Sequence, residues 1–234
     1  MFSFKQFNIQ QDKTAMKVGT DGVLLGAWTP LQNNPYSILD IGAGTGLIAL
    51  MLAQRSHAEQ IDALEIDDDA YEQAVDNFEN SPWADRLFCY HAGLDEFMEE
   101  PEDEYDLIVS NPPFYTEDYT SGNDQRDTAR FAASLPFEDL AEAAGLLLSE
   151  KGVFAIVLPY KEEEHFIALM SEEGLTPFKI TRVKGTPTSD IKRSLMAFSY
   201  TESDIIINEL VIETARHEYT ADYIDLTKDF YLKM

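Results

Sequence analysis

The chain has 234 residues, 44% hydrophobic and 12% aromatic, enough to build the core of one domain and too apolar for disorder. Seventeen Lys and Arg face 43 Asp and Glu, a formal net charge of −26, which argues at first sight against a polyanionic partner because phosphate binding draws on Lys and Arg. A single cysteine (Cys89), four scattered histidines, no signal peptide and no run of apolar residues long enough for a membrane span point to a soluble, reduced, cytoplasmic protein without a metal.

In chain order, Gly22–Trp28 reads as a helix capped by Thr20 and Asp21. Ser37–Ile41 is a buried-type strand and Thr45–Gln54 a helix. Ile61–Ile66 is a second strand, and Asp68–Asn80 a helix with acids in its first turn. Leu87–His91 and Asp106–Ser110 are short strands, Phe137–Leu148 a helix, and Val153–Leu158 the strongest strand run. Glu162–Glu173 is a helix stopped by Gly174, Phe178–Val183 and Leu195–Tyr200 form a strand pair, and a short aromatic-rich helix lies within Glu218–Met234. Strands alternating with helices of this length predict an α/β, doubly wound, mostly parallel sheet of seven strands. The expected organisation is a single domain: an extension at 1–36, a core at 37–200, and a C-terminal strand and helix at 201–234.

The first strand runs straight into Gly42-Ala43-Gly44-Thr45-Gly46 and then a helix. Glycines permit the tight turn and close approach of a ligand to the backbone, and the helix start offers unpaired N–H groups. The spacing is GxGxG, whereas a dinucleotide fingerprint would be GxGxxG. Asp40, two residues before the first glycine, is an anion that suits an ammonium or sulfonium better than a pyrophosphate. At the end of the second strand, Glu65, followed by Ile66, can accept both hydroxyls of a ribose; Asp67, Asp68 and Asp69 read as solvated acids. Together these signals resemble the S-adenosylmethionine site of class I methyltransferases.

Asp106–Ser110 ends in Asn111-Pro112-Pro113-Phe114. Two prolines stop the strand and stiffen the turn. The Asn111 side-chain oxygen and the Pro112 carbonyl are two acceptors, suited to an NH₂ with two hydrogens, and Phe114 offers a flat face for stacking. The segment resembles the (Asn/Asp/Ser)-Pro-Pro-(Tyr/Phe) motif of methyltransferases acting on planar nitrogens, which include adenine-N6, guanine-N2 and protein glutamine-N5 enzymes.

Lys17-to-Trp28, Lys184-Gly-Thr-Pro187 with Lys192-Arg-Ser194, and the closing Tyr219…Leu232 stretch, taken with Asn111–Phe114, resemble the bacterial family that methylates N6 of adenosine 37 in valine tRNA. The resemblance covers nearly the whole chain. It implies S-adenosylmethionine as cofactor and tRNA as partner, with Thr20 and Asp21 on the cofactor side. Oligomeric state is not legible, and a monomer is the simplest expectation. The sequence departs from many methyltransferases at His91-Ala92-Gly93-Leu94, where an Asp would contact the cofactor's adenine; backbone N–H groups of Gly93 and Leu94 are expected to serve instead. The charge is uneven. Asp62–Asp106 holds 17 acids and one base, whereas Thr176–Tyr200 holds five bases and one acid. Lys17, Arg126, Arg130, Lys184, Lys192 and Arg193 are therefore the expected RNA contacts.

Overall fold

The computed structural model describes residues 1–14, 16–99, 104–113 and 135–234. An eight-stranded sheet organises them, with strand order β10-β8-β9-β7-β6-β3-β4-β5. These strands are β3 (Ser37–Ile41), β4 (Gln60–Glu65), β5 (Leu87–His91), β6 (Tyr105–Ser110), β7 (Leu148–Pro159), β8 (Thr176–Lys184), β9 (Ile191–Ser199) and β10 (Ile206–Val211). Five of the seven pairings are parallel, and β9 runs antiparallel to both β7 and β8. The sheet thus carries one strand more than the seven expected. The eighth, β10, falls in the 201–234 span where a C-terminal strand was expected; it is an exposed edge whose apolar residues face solvent at Ile206 and Ile207, so burial periodicity does not mark its bounds.

Side chains alternate between two apolar layers, as the period of two in a strand requires. Along β7, Val153, Ala155 and Val157 join one cluster, and Phe154, Ile156 and Leu158 the other. The first layer is covered by α1 (Thr20–Trp28), α2 (Leu47–Arg55), α3 (Asp68–Glu79) and α7 (Ala221–Thr227). The second is covered by α4 (Leu94–Glu99), α5 (Phe137–Leu147) and α6 (Glu163–Glu172). Helices on both faces explain why β3 is buried along its whole length.

Residues Gly22 to Trp28 of α1 are all buried, because the helix packs on α2, α7 and β7. Gly26 makes that approach possible: a Cβ there would lie 2.7 Å from Met51 Sδ of α2. The helix starts at Thr20 rather than Gly22. Gly19 is its N-cap without a side-chain bond, so Thr20 and Asp21 occupy the first turn and do not cap. Likewise α2 starts at Leu47, two residues later than expected, because Gly46 is held left-handed at φ 75°.

The short strands β1 (Phe2–Ser3) and β2 (Asn8–Ile9) pair as a hairpin. Phe4 bridges to Tyr231, and the Lys5 N–H donates to the Phe230 carbonyl at 2.8 Å. Phe2, Phe4, Phe7 and Tyr231 stack at centroid distances of 4.8–6.3 Å. From there the chain is strapped to α3. Gln73 Oε1 accepts the N–H groups of Asp12 and Lys13, and Asn77 both donates to and accepts from the backbone of Gln10. Asn77 Nδ2 also donates to the Thr45 carbonyl at 2.9 Å, tying the strap to the glycine turn. A second small hairpin joins β11 (Glu213–Ala215) to β12 (Glu218–Tyr219).

Candidate functional site at the carboxyl edge of the sheet

The glycine turn leaves β3 with Gly42, Gly44 and Gly46 at φ 74°, 58° and 75°, a region where L side chains are strained. The N–H groups of Gly42 and Ala43 both donate to the Leu64 carbonyl, at 3.0 and 2.9 Å, which fixes the turn against the end of β4. Gly46 is also a packing requirement, since a Cβ would lie 2.4 Å from the Phe78 ring. Gly44 differs: a Cβ there meets nothing within 4 Å, so open space faces the turn.

Glu65 joins the turn to the next loop. Its Oε2 accepts from Gly44 N–H at 2.7 Å and its Oε1 from Asp67 N–H at 2.9 Å. Each oxygen keeps a further lone pair, so the bonds preorganise the carboxylate for hydroxyl donors. Asp67 is more than a solvated acid, because its Oδ1 accepts from Ala70 N–H at 2.9 Å and caps α3. Ile66, between them, is 54% exposed although apolar. It lies beside the glycine at position 93, where a Cβ would be 3.5 Å from Ile66 Cδ1. Gly93 precedes α4, and Leu94 begins that helix in the second apolar layer.

Asp40 is fully buried. Its Oδ2 accepts from Ala49 N–H at 3.0 Å, so it caps the first turn of α2 in place of the glycine N-cap, while Oδ1 has no hydrogen-bond partner among the described residues. Burial pushes its carboxyl up to about 7; the Ala49 N–H pulls it down and the nearby Glu65 charge pushes it further up. Its place as a direct ligand contact is therefore corrected to a buried anchor beneath the turn.

Asn111 follows β6, one position past Ser110, whose hydroxyl donates to the Ile41 carbonyl at 2.9 Å and joins the ends of β6 and β3. Asn111 is half-buried, Pro112 buried and Pro113 half-buried. The Asn111 amide faces α1: a Cβ on Gly22 would lie 3.7 Å from Asn111 Nδ2. Phe114, Arg126 and Arg130 lie outside the described residues.

Asp21, next to Gly22, pairs with Arg193 Nε at 2.8 Å. Lys184 pairs with Glu209 at 2.8 Å, and Arg182 with the buried Glu163 at 2.7 Å. Lys179 sits over the Trp28 ring at 4.3 Å. The basic segment is thus largely committed to partners within the fold, which the count along the chain did not reveal. Its loop nevertheless lies at the same end of the sheet as Asn111, since Pro159 registers with Arg193 and Lys184 with Ile191. Lys17 and Lys192 are exposed.

Three features escaped the sequence reading. His91 Nε2 lies 3.1 Å from the Ile66 carbonyl and 3.0 Å from Asp68, and its ring stacks on Tyr71 at 5.0 Å. A Cβ on Gly93 would lie 2.5 Å from Asp95 Oδ1, so a carboxylate stands near the position that lacks the usual Asp. Asn77 couples strap and turn. Polar residues on helix faces give no periodic signal, and only their three-dimensional partners show their use. A cavity of about 620 Å³ lies elsewhere, at the far end of α2, with Gln54 and Arg55 on its wall.

The arrangement can hold a nucleoside by its ribose at Glu65, with its base against Ile66 and Gly93 and its polar end in front of Gly44. Among the described residues no group of His, Cys, Asp and Glu is placed to hold a metal, and no helix is long and apolar enough to cross a membrane.

Residues 23–172 match the family model described as Methyltransferase small domain. The tRNA1(Val) (adenine(37)-N6)-methyltransferase of Flavobacterium johnsoniae is 72% identical, covering 100% of both chains. That of Christiangramia forsetii is 60% identical over 100% of this chain and 98% of its own, and that of Photorhabdus laumondii 42% over 99% and 95%. Among solved structures, one titled a predicted O-methyltransferase, from Agrobacterium tumefaciens, has a TM-score of 0.68 at 20% identity, covering 90% of this chain and 96% of that one. A methyltransferase from Pyrococcus furiosus has a TM-score of 0.59 at 23% identity, covering 84% and 90%. At these identities the two structures speak to the fold.

Proposed function

The chain belongs to the methyltransferase small-domain family, and on that premise we propose that it moves a methyl group from S-adenosylmethionine to N6 of an adenosine in tRNA, adenosine 37 beside the anticodon of valine tRNA. Relatives over 40% identical across essentially the whole chain carry this activity in their names. The observation that carries the reading in the fold is the adjacency of Asn111-Pro112 to the open glycine turn, on neighbouring strands β6 and β3.

The residues present fit the cofactor. Gly44 leaves space at the turn, Glu65 holds lone pairs toward hydroxyl donors, and Ile66 presents an apolar wall beside Gly93. Gly42, Ala43 and Gly46 hold the turn with Asp40 anchoring it from beneath, and Glu65 supplies negative charge near a cationic ligand. Thr20 and Asp21 open the helix that borders the pocket. When bound, S-adenosylmethionine supplies a methyl group already activated by its sulfonium.

The protein's task is alignment. Asn111 Oδ1 and the Pro112 carbonyl accept the two hydrogens of the adenine amine, which turns the nitrogen lone pair away from the ring. The paired prolines keep those acceptors from moving. Phe114 is the residue expected to stack on the base. Proximity and exclusion of water can supply roughly 7–11 kcal/mol in favourable cases. The methylated ammonium is acidic enough to release its proton to water, so no histidine base is needed. Lys17, Lys192, Arg126 and Arg130 are the proposed phosphate contacts, with Lys184 and Arg193 available only by exchanging a carboxylate for a phosphate. The protein acts in the cytoplasm as one domain, as a monomer and without a metal.

The test is incorporation of labelled methyl groups into purified tRNA, ribosomal RNA and release factor, with mass-spectrometric mapping of the modified nucleotide. Label confined to adenosine 37 is expected. Label in release factor or in ribosomal guanine, with none in tRNA, would overturn the reading.

A further inference from the structure

We infer that Tyr160 is a stacking platform for a nucleobase flanking the target adenosine. The inference rests on the reading of the substrate as RNA and adds a specificity-determining residue to it.

Tyr160 opens a single 3₁₀ turn, Tyr160–Glu162, at the end of β7. Strand β7 lies between β6, which Asn111 follows directly, and β9, which carries Arg193. Ser110 registers with Ile156, so Asn111 is one residue past the shared rung and Tyr160 four. At about 3.3 Å per residue and 4.8 Å between strands, the two lie roughly 11 Å apart. That is the reach of a neighbouring nucleotide when the target base sits at Asn111.

Tyr160 is 38% exposed as a residue and belongs to neither apolar cluster. One face is occupied: the Arg182 guanidinium carbon lies 5.4 Å from the ring centroid. Arg182 is itself fixed. Its Nε and Nη2 donate to Glu163 at 3.2 and 2.7 Å, and the buried Glu163 also accepts from the Ser194 hydroxyl. A buried carboxylate thus locks a cation, and the cation backs an aromatic ring whose remaining surface meets solvent. A planar group stacks on such a face whatever its base identity. Exposed Lys192, beside Arg193 at the start of β9, borders the same rim and suits the flanking phosphate.

Full-length protein is compared with its Tyr160→Phe and Tyr160→Leu variants on a tRNA anticodon stem-loop. Tyr160→Phe keeps the stacking face, whereas Tyr160→Leu keeps apolar bulk and loses it. Tyr160→Leu is expected to raise KM for the RNA on the order of tenfold, with KM for S-adenosylmethionine unchanged and Tyr160→Phe near wild type. With 2-aminopurine at a nucleotide flanking the target, fluorescence is expected to be lower in complexes with Tyr or Phe than with Leu, since stacking quenches it. Equal KM and equal fluorescence for Phe and Leu, with an active wild type, would overturn the stacking role alone. A wild type that leaves the stem-loop unmethylated would overturn the substrate reading beneath it.

Discussion

Arg193 holds the Asp21 carboxylate at 2.8 Å, and the residue after Asp21 is the glycine against which the Asn111 amide lies. The start of α1, a basic residue of β9 and the Asn111 turn after β6 are therefore linked through two consecutive backbone positions. Both partners of the ion pair are about one-third exposed, so the pair contributes little stability, roughly 0.2–1 kcal/mol. Its value lies in where it sits: on the proposed function, a phosphate reaching this rim would compete with Asp21 for one guanidinium.

That competition gives unequal variants. Arg193→Ala is expected to raise KM for tRNA severalfold, while Asp21→Ala, which removes only the carboxylate that would compete with a phosphate, leaves it unchanged or lowers it. Steady-state kinetics in varied tRNA check this. Equal rises in both would assign Arg193 to holding α1 alone.

Asn111→Ala removes one of the two acceptors proposed for the amine and leaves the glycine turn and Glu65 in place. Cofactor affinity measured by calorimetry is expected to stay near wild type while kcat falls on the order of 100-fold, the cost of a misaligned reacting group. Full activity in this variant would sink the account of amine alignment.

Asp40 makes stability depend on pH. Its carboxyl is pushed up to about 7, chiefly by burial, so folding favours the protonated acid. The stabilisation is complete below the ordinary carboxylate range and is lost as pH rises through about 7. Asp40→Asn keeps an acceptor for Ala49 N–H and does not titrate. In cofactor-free protein, the melting temperature of wild type relative to Asp40→Asn should fall from about pH 4 to about pH 7 and level off above that. A difference that does not vary with pH would refute the buried acid as its source.

Two glycines of one turn should fail differently. Gly46→Ala combines a left-handed backbone with a clash on Phe78, and it is expected to cost more than the 1–3 kcal/mol of backbone strain alone. Gly44→Ala carries the strain without the clash, and its methyl enters the open space at the turn. Thermal melts should show the larger loss for Gly46→Ala, and calorimetry a loss of cofactor affinity for Gly44→Ala at a temperature where it is folded. The reverse ranking in the melts would contradict the packing described.

The middle of the sheet was legible because its central strands are buried on both faces and read as apolar runs, as β3 does; β3 and the largely exposed edge strand β5 both match the expected spans residue for residue. β10 was expected only as an unplaced strand within 201–234, and the two hairpins not at all, since short or solvent-facing strands carry no burial pattern. Glycine spacing and the prolines mark turns by backbone chemistry, so Gly42–Gly46 and Asn111–Pro113 could be found locally. Charge was read less well. A tally along Thr176–Tyr200 sees five bases, but Glu163, Glu209 and Asp21 reach them from distant positions, and only the fold brings them together. The same limit hid Asp40, whose neighbour Ala49 is nine residues away and whose burial depends on α2 closing over it.

Asn77 fastens two separate pieces with one amide: the strap before α1 and the turn after β3. A change at this side chain, which need touch neither nucleoside nor RNA, would be felt as two defects at once. Kinetic constants for both reactants would drift together, and an allosteric connection would be suspected where there is only a shared peg.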